Sequence, residues 1–284
     1  MPEVQARRNH FPDPNLIAFS HAGLALERYV ASLGEPAHDS EKQLYVKLAG
    51  LNSFGPAYSG AFERWNSRFA DADRFSQSPV SASSRIAVGL GADSVLETSL
   101  RLHRTYGVPI LPGSALKGLA SHTCRRVYGG LAKEHATSDD VTDPVRKQYM
   151  PSPAWTPEQR RENEEQHGWD FTTHDLLFGH VAGAGGVIFH DAWYIPGSGP
   201  GGKPFLPDVM TVHHPNYYRG DDSPPADWDS PTPVAYINVA PGTKFLIALE
   251  GERDWTALAM RILLEALKND GIGAKTSSGY GRLV

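Results

Sequence analysis

Apolar side chains recur with a helical period in two segments of the chain. In residues 116–128 they fall at i, i+3, i+4, i+7 and i+8, and residues 255–267 show the same kind of spacing. This spacing places the apolar side chains on one face of a helix. Ser114 follows a Pro-Gly turn and is a good N-cap for the first helix, and Asp254 is a plausible cap for the second. We therefore predict two amphipathic helices.

Other segments show period-two alternation or short apolar runs, both typical of strands. The predicted strands cover residues 86–90, 96–103, 187–195, 234–239, 244–250 and, at the C-terminus, 282–284. Because Pro241-Gly242-Thr243 separates two of these strands, we expect residues 234–239 and 244–250 to form a hairpin.

The order of these elements is strand, helix, strands, helix, strand. That order is typical of a ferredoxin-like β-α-β-β-α-β arrangement, an α+β fold in which two helices cover one face of an antiparallel sheet. In the RNA-recognition version of this architecture, the other sheet face is open to RNA. We predict this RRM-like version here.

The chain divides into two regions of different pattern. Residues 1–80 are predicted to be a partly helical N-terminal extension, a packing or docking surface, since the apolar positions near residues 24–30 and 62–69 have helical spacing. Residues 81–284 are predicted to form one domain, with a polar, acidic insertion at about 131–175 and a long loop at 196–232.

Composition removes several classes of protein. The single cysteine, Cys124, allows neither an internal disulfide nor a cysteine-based zinc site. The N-terminus has no apolar core of signal-peptide length, and no stretch approaches the roughly 20 apolar residues of a membrane span. We expect a soluble, cytoplasmic protein.

Charge is distributed unevenly along the chain. The net charge of −5 argues against nucleic-acid binding when it is taken alone. However, residues 98–133 and 271–284 contain no acidic residue. The basic positions in these two segments that we take as candidates are Arg101, His103, Arg104, Lys117, Arg125, Lys275 and Arg282. Basic surface is therefore expected from two separated segments.

Four glycines, at 271, 273, 279 and 281, surround Lys275 and a run of hydroxyl side chains. Glycine lets the backbone approach a ligand closely, and N–H groups, hydroxyls and a lysine suit a phosphate. The segment fails as a P-loop because Ala274 precedes Lys275, and a preceding helix excludes the dinucleotide fingerprint, so no nucleotide cofactor is expected. Two interpretations stay open, a phosphate-binding loop and a flexible helix-to-strand connector.

The segment Ile110–Gly118 is a second candidate anion site. A helix N-terminus with Ser114 and Lys117 in its first turn can bind an anion. Ordinary capping, with Lys117 solvated, explains the same residues.

Together, Pro112-Gly-Ser-Ala-Leu-Lys-Gly118 and Gly271-Ile-Gly-Ala-Lys-Thr-Ser-Ser-Gly-Tyr-Gly-Arg282 resemble motifs of the RAMP superfamily of CRISPR-associated RNA-binding proteins. The resemblance covers roughly residues 85–284. Within the superfamily, the branch that supplies the sixth subunit of type III-B (Cmr) effector complexes is most similar. The further stretches that resemble it lie at residues 88–91, 96–98, 103–109, 175–179, 208–210 and 217–218.

The resemblance implies a ferredoxin-like RNA-binding subunit of a crRNA-guided ribonucleoprotein in antiviral defence, placed near the 3′ end of the guide. The implied partners are crRNA, target RNA and other Cmr-type subunits, with no membrane, metal or cofactor. The resemblance carries RNA contact onto Ser114, Lys117, Gly271, Gly273, Lys275, Ser277 and Arg282. Charge alone adds Arg101, His103, Arg104 and Arg125. We expect that replacing Lys275 and Arg282 by Glu weakens RNA binding without unfolding the chain.

An endoribonuclease is the alternative function. Glu97 takes the position, by spacing from Gly107, where relatives that cut target RNA carry an aspartate, and Asp93 is a weaker candidate. His103 and His122 are candidates for metal-independent acid–base chemistry. In the long loop, aromatic residues near His213-His214 either stack on bases or hold the loop in place. We predict a binding subunit without catalytic residues.

Overall fold

The computed structural model describes residues 21–28, 44–52, 54–94, 96, 98–128, 173–180, 183–212, 220, 224 and 232–284. The predicted insertion lies outside these residues except for its last three positions. Glu97, His213-His214 and the neighbouring aromatic residues Tyr217, Tyr218 and Trp228 also lie outside them.

The helices of the described ranges are α1 (Ala22–Arg28), α2 (residues 44–49), α3 (Gly55–Ser67), α4 (Gly113–Tyr128), α5 (Thr173–Phe178) and α6 (Arg253–Asn269). The strands are β1 (Phe75–Ser81), β2 (Ile110–Leu111), β3 (Gly179–His180), β4 (Gly183–Ala184), β5 (Ile188–Phe189), β6 (Ala192–Tyr194), β7 (Phe205–Val212), β8 (Thr232–Val239) and β9 (Lys244–Glu250). No helix within the described ranges is long and apolar enough to cross a bilayer.

The main sheet is antiparallel, with the strand order β1-β9-β6-β2 and with β5 also paired to β9. The C-terminus joins the β1 side through a bridge between Ala82 and Leu283. There the amide of Val284 donates to the carbonyl of Ser81 over 2.9 Å. Because β1 starts at Phe75, the segment before residue 80 supplies part of this sheet. The domain boundary at residue 80 stays a prediction.

Both faces of β9 are buried, so the sheet is covered on two sides. Helices α4 and α6 pack against each other and against β1, β5 and β9. Their apolar stripes include Leu116, Ala120, Leu258 and Leu263, each with essentially no exposed surface. The two amphipathic helices predicted from the periodicity are confirmed.

Helix α3 covers the opposite sheet face, which we predicted to be open to RNA. Gln77 of β1 donates from Nε2 to Oδ1 of Asn66 over 3.1 Å. Trp65 stacks on Trp193 of β6 with 5.0 Å between ring centroids and 7° between ring planes. The expectation of an open face is therefore wrong, because aromatic residues of the N-terminal segment bury it.

The first turns of the two long helices differ from the prediction. Helix α4 begins at Gly113, so Ser114 lies inside the first turn and is not the N-cap. The amide of Gly113 donates instead to Oδ1 of Asp191 over 2.7 Å, so a carboxylate from the β5–β6 connection satisfies this helix end. Helix α6 begins at Arg253, which places Asp254 in the first turn, and Glu252 at the N-cap position makes no side-chain capping bond.

Two of the predicted strands are irregular chain. Residues 86–90 contribute only isolated bridges, from Ile86 to Val239 and from Ala87 to Ala274. The predicted strand over 96–103 is wrong within its described residues, because the amides of Arg101 and His103 bond to separate nearby carbonyls instead of one ladder. Leu96 and Leu100 are buried, so burial alone produced the alternation. Residues 187–195 are confirmed as the two short strands β5 and β6.

The predicted hairpin is also wrong. β8 pairs with β7 in a separate two-stranded sheet, whereas β9 pairs with β1, β5 and β6 in the main sheet. The turn at Pro241-Gly242 therefore passes the chain from one sheet to the other. β7 lies inside the segment that we predicted as the long loop 196–232, so that prediction fails over residues 205–212.

Candidate nucleic-acid interface

Residues 271–281, named the glycine loop here, form an ordered loop that bonds to residues 85–87. The amide of Ala274 donates to the carbonyl of Ala87 and the amide of Gly281 to that of Arg85, each over 2.7 Å. A Cβ on Gly281 would lie 2.2 Å from the carbonyl oxygen of Ile272, and one on Gly273 would lie 2.5 Å from that of Ala87. These close approaches require glycine. The loop is therefore built to hold one conformation, unlike a flexible connector.

Lys275 stands at the tip of the glycine loop in the left-handed region, with a φ of 63°. It is the one non-glycine residue with positive φ in the part of the chain that the structure describes. Its Nζ lies 5.7 Å from the ring centroid of Tyr236, within the range of a cation–π contact. No ion pair is found between Lys275 and any described carboxylate. The lysine thus keeps a free positive charge at a position that is unfavourable for a side chain.

A polar cluster around Asp208, the Asp208 cluster, fixes the glycine loop to the β7–β8 sheet. Oδ2 of Asp208 accepts hydrogen bonds from Tyr280 at 2.5 Å, Arg85 at 2.8 Å, Asn238 at 3.2 Å and Tyr236 at 3.3 Å. Burial raises the pKa of Asp208, but the bonds from Tyr280 and the Val209 amide and the charge of Arg85 outweigh it, so the pKa lies below its ordinary value.

Sequence reasoning missed this cluster as a site. In the sequence, Asp208 falls only within a stretch of family resemblance, and Tyr280 only within the glycine motif. The signal that could reveal it is an acidic residue flanked by apolar positions, Pro207 and Val209, in the segment that the sequence predicts to be a loop. Had residues 205–212 been predicted as a strand, a carboxylate on its inner face would have required partners.

Arg282 has an internal role. Its guanidinium donates to the carbonyl of Asn269, the last residue of α6, and to that of Thr276 over 3.5 Å. Carbonyls at a helix C-terminus carry partial negative charge, which a cation stabilises. Replacing Arg282 by Glu would put a negative charge against these carbonyls, so such a variant does not separate RNA binding from stability.

The start of α4 and the glycine loop do not form one continuous binding site. Gly113 lies at the β5–β6 connection, where its amide bonds to Asp191. The glycine loop is approached by the other end of α4, where Thr123 and Arg126 bond to Asp270 over 2.7 and 2.6 Å. No hydrogen bond or ion pair joins Pro112–Gly118 to Gly271–Gly281 in the ranges described above. These two predicted motifs are separate patches.

The remaining predicted residues are exposed or half-buried, and one of them, His103, packs against aromatic rings. Ser114, Lys117 and Arg125 lie on one side of α4, where Ser114 and Arg125 are exposed and Lys117 is half-buried, whereas Ser277 is exposed in the glycine loop. Arg101 and Arg104 are exposed. His103 packs its ring 4.8 Å from both Tyr106 and Trp193, and burial lowers its pKa against the opposing effect of Asp191. Its imidazole packs within the aromatic cluster that α3 covers.

Of the catalytic candidates that the structure describes, Asp93 and His122 are exposed side chains and His103 is packed as above. No group of three or more His, Cys, Asp or Glu side chains within the described residues is arranged to hold a metal ion. Gly271 is buried and Gly273 is exposed, so of these two loop glycines only Gly273 offers its backbone to a ligand.

Comparison with known proteins gives the chain its relatives. CRISPR system Cmr subunit Cmr6 of Pyrococcus furiosus is 36% identical over 222 residues, which cover 71% of this chain and 65% of that protein. A type III-B Cmr-beta complex bound to cognate target RNA contains a chain that superposes with a TM-score of 0.58 at 17% identity, covering 88% of this chain and 72% of the other. That likeness shows a shared fold.

The crystal structure of Cmr6 from Pyrococcus furiosus is a further match, with 33% identity, a TM-score of 0.44, and coverage of 74% of this chain and 97% of the other. The sequence profile of the RAMP superfamily matches residues 80–284, well over half of the chain. The match includes the glycine loop, the start of α4 and the Asp208 cluster. The chain therefore belongs to the RAMP superfamily.

Proposed function

We propose that this chain is a non-catalytic, crRNA-binding structural subunit of a type III-B CRISPR RNA-guided effector complex in antiviral defence. It holds the guide near its 3′ end, and its partners are crRNA, target RNA and other Cmr-type subunits. Membership of the RAMP superfamily and the 36% identity to a Cmr subunit support this assignment. A structural neighbour that is part of a complex with target RNA agrees with it.

We further propose that the mixed α/β fold is ferredoxin-like. Two strands, β1 and β6, flank β9 antiparallel, and α4 lies in the connection between them. α6 then connects β9 to the C-terminal residues, which bond beside β1. This is the split β-α-β pattern repeated, to which the N-terminal segment adds α3 as a cover.

Lys275 is the observation that carries the RNA-binding proposal. A left-handed lysine costs the fold roughly 1 kcal/mol, which a glycine at the same position would not cost. Its ammonium has no carboxylate partner among the described residues, and the exposed Ser277 lies two residues away. A phosphate at this position would form an ion pair with the lysine and accept hydrogen bonds from backbone N–H groups and hydroxyls. A strained residue of this kind is typical of a functional site.

Replacement of Lys275 by Gly tests the proposal, because it removes the charge and relieves the backbone at once. We expect a several-fold weaker affinity of the full chain for a guide-length single-stranded RNA, with an unchanged or higher melting temperature. Lys268→Ala is the matched control, since Lys268 is an exposed lysine in the last turn of α6. If both variants bind RNA as the unmodified chain does, the glycine loop does not bind RNA.

A further inference from the structure

His174 of α5 is a buried histidine that contacts the exposed basic side of α4. Its side chain is 8% exposed, and its Nε2 lies 2.7 Å from Oγ of Ser121 and 3.0 Å from Nε of Arg125. On the other side of the ring, Nδ1 lies 3.4 Å from Oδ1 of Asp175. Two α4 side chains, one turn apart, thus converge on one nitrogen of a histidine that belongs to a different helix.

The arginine decides the protonation state of this ring. A guanidinium nitrogen only donates, so Nε2 of His174 must present its lone pair to Arg125. The Ser121 hydroxyl then also donates to Nε2, and the ring proton sits on Nδ1, facing Asp175. His174 is therefore a neutral acceptor that fixes two donors of α4.

The bond from Nε of Arg125 to His174 holds the guanidinium in one orientation and does not involve its two terminal nitrogens. In the described part of the chain, the bond to His174 is the one hydrogen bond or ion pair found for Arg125, so neither terminal nitrogen is bonded to a described residue. Arg125 is exposed, and Lys117, eight residues earlier on the same side of α4, also has no ion-pair partner there. Eight residues of helix span about 12 Å. The result is a line of two cations, one of them held in place from beneath.

We propose that Lys117 and Arg125 form a second phosphate-binding site, for the backbone phosphates of bound RNA, and that His174 is its positioning residue. The inference rests on the proposed function and adds a surface to it. Lys117 and Arg125 lie on the side of α4 that meets α5, whereas Thr123 and Arg126 face Asp270 next to the glycine loop. A planar, pre-ordered guanidinium matches the oxygens of a phosphate better than a freely moving cation does.

The hydrogen bonds from Ser121 to Nε2 of His174 and from Nδ1 of His174 to Asp175 resemble those of a hydrolytic triad, but the geometry opposes that chemistry. In a triad, Nε2 is free to take the serine proton, whereas here the N–H of Arg125 shares the same lone pair. Ser121 also lies in the middle of α4, away from any strained turn that would expose its oxygen. The cluster therefore supports binding.

The test measures the affinity of the full chain for a fluorescein-labelled, guide-length single-stranded RNA at fixed low salt. We expect Arg125→Ala to weaken binding roughly tenfold, as for loss of a charge-assisted hydrogen bond. Arg253→Ala is the matched control, because it removes one arginine charge and a highly exposed pair with Asp73. We expect that control to change affinity less than twofold, since its pair is solvent-exposed.

Two substitutions of His174 separate positioning from a general structural role. Gln places an amide oxygen near the position of Nε2 and keeps an acceptor for Arg125, whereas Leu removes it. We expect His174→Gln to bind RNA like the unmodified chain and His174→Leu to bind as weakly as Arg125→Ala. In the Arg125→Ala background, His174→Leu should have no further effect, because its action passes through the arginine.

Each alternative outcome identifies what fails. If Arg125→Ala leaves the RNA affinity unchanged, the phosphate-binding site is overturned. If that variant instead impairs assembly with other subunits, Lys117 and Arg125 form a protein contact. Equal losses in His174→Gln and His174→Leu, or additive losses with Arg125→Ala, would overturn the positioning role. If the unmodified chain binds no RNA at all, the proposed function fails, and this site fails with it. Melting temperatures, recorded for every variant, show which of them fold.

Discussion

At the residue scale, Asp208 is the carboxylate on which three parts of the fold converge. It joins β7 to Tyr236 and Asn238 on β8, to Arg85 in the chain that follows β1, and to Tyr280 in the glycine loop. Asp208 is half-buried, and a carboxylate withdrawn from water is stable only when donors replace the water; here four side chains do so. The negative charge is therefore structural, and it keeps the loop in place beneath Lys275.

Asp208→Asn should lower the free energy of unfolding by about 2 kcal/mol, because the amide removes a charged acceptor and places two donors among donors. Urea denaturation monitored by circular dichroism measures the change. Asp93→Asn is the control, since Asp93 is exposed and loses the same charge. Equal stability of the two variants would show that the Asp208 cluster does not hold the loop.

At the element scale, the glycine loop contains positions that differ sharply in what surrounds them. Gly279 and Gly281 both have positive φ, 87° and 79°. Nothing lies within 4 Å of a Cβ built on Gly279, whereas one on Gly281 would lie 2.2 Å from a carbonyl oxygen of the same loop. The first glycine is needed for its backbone angle alone, and the second is needed for its angle and for space.

Gly279→Ala should therefore cost about 1 kcal/mol, the penalty of a left-handed alanine. Gly281→Ala should cost at least twice as much, because the carbonyl of Ile272 must also move. Denaturation midpoints at constant slope give both values. A larger loss for Gly279→Ala than for Gly281→Ala would contradict the described loop geometry.

The same scale shows where sequence patterns were sufficient. Helices α4 and α6 were predictable because each buries a continuous stripe of apolar side chains, which therefore recur in the sequence with the 3.6-residue period of a helix. The partner strands of β8 and β9 could not be predicted, because the Pro241-Gly242 turn specifies a change of chain direction but does not specify which strands pair. For residues 96–103, burial of Leu96 and Leu100 imitated a strand face in chain that has no ladder.

Much of the candidate site lay beyond sequence reasoning for a similar reason. The motifs located Lys275 and Lys117, but contacts between distant segments decide what each residue does. Arg282 bonds to helix carbonyls and His103 packs against aromatic rings, contacts that no motif predicts, and RNA contact at either residue stays a prediction. His174 and Asp208 carried no local pattern that reveals these roles, since the two α4 partners of His174 lie 53 and 49 residues away and Arg85, the charged partner of Asp208, lies 123 residues away.

At the scale of the whole molecule, stability depends on pH through two histidines of the described ranges, His174 and His103. Burial lowers the pKa of His174, opposed by its bond to Asp175 and reinforced by the charge of Arg125, and burial likewise lowers the pKa of His103. In the unfolded chain both have an ordinary pKa near 6.5. Between the folded and unfolded values the unfolded chain binds more protons, so stability falls as the pH drops through about 6.5 towards the folded values.

We expect the free energy of unfolding to decrease from about pH 7.5 to about pH 5.5, a window above the unfolded carboxylate pKa values near 4. His174→Gln should flatten this dependence by removing one of the two groups. Denaturation curves at half-unit pH steps test it. Stability that rises towards pH 5.5, or an unchanged slope in the variant, would contradict the neutral, buried imidazole.

The most direct test of the central claim is the salt dependence of RNA binding by the full chain, with the integrity of the RNA recorded in the same samples. If Lys117, Arg125 and Lys275 each contact one phosphate, the logarithm of the association constant should fall with the logarithm of salt with a slope of about −2. The RNA should stay intact with and without Mg²⁺. Salt-independent or absent binding, or cleavage of the RNA by the nuclease-free protein, would contradict a non-catalytic RNA-binding subunit.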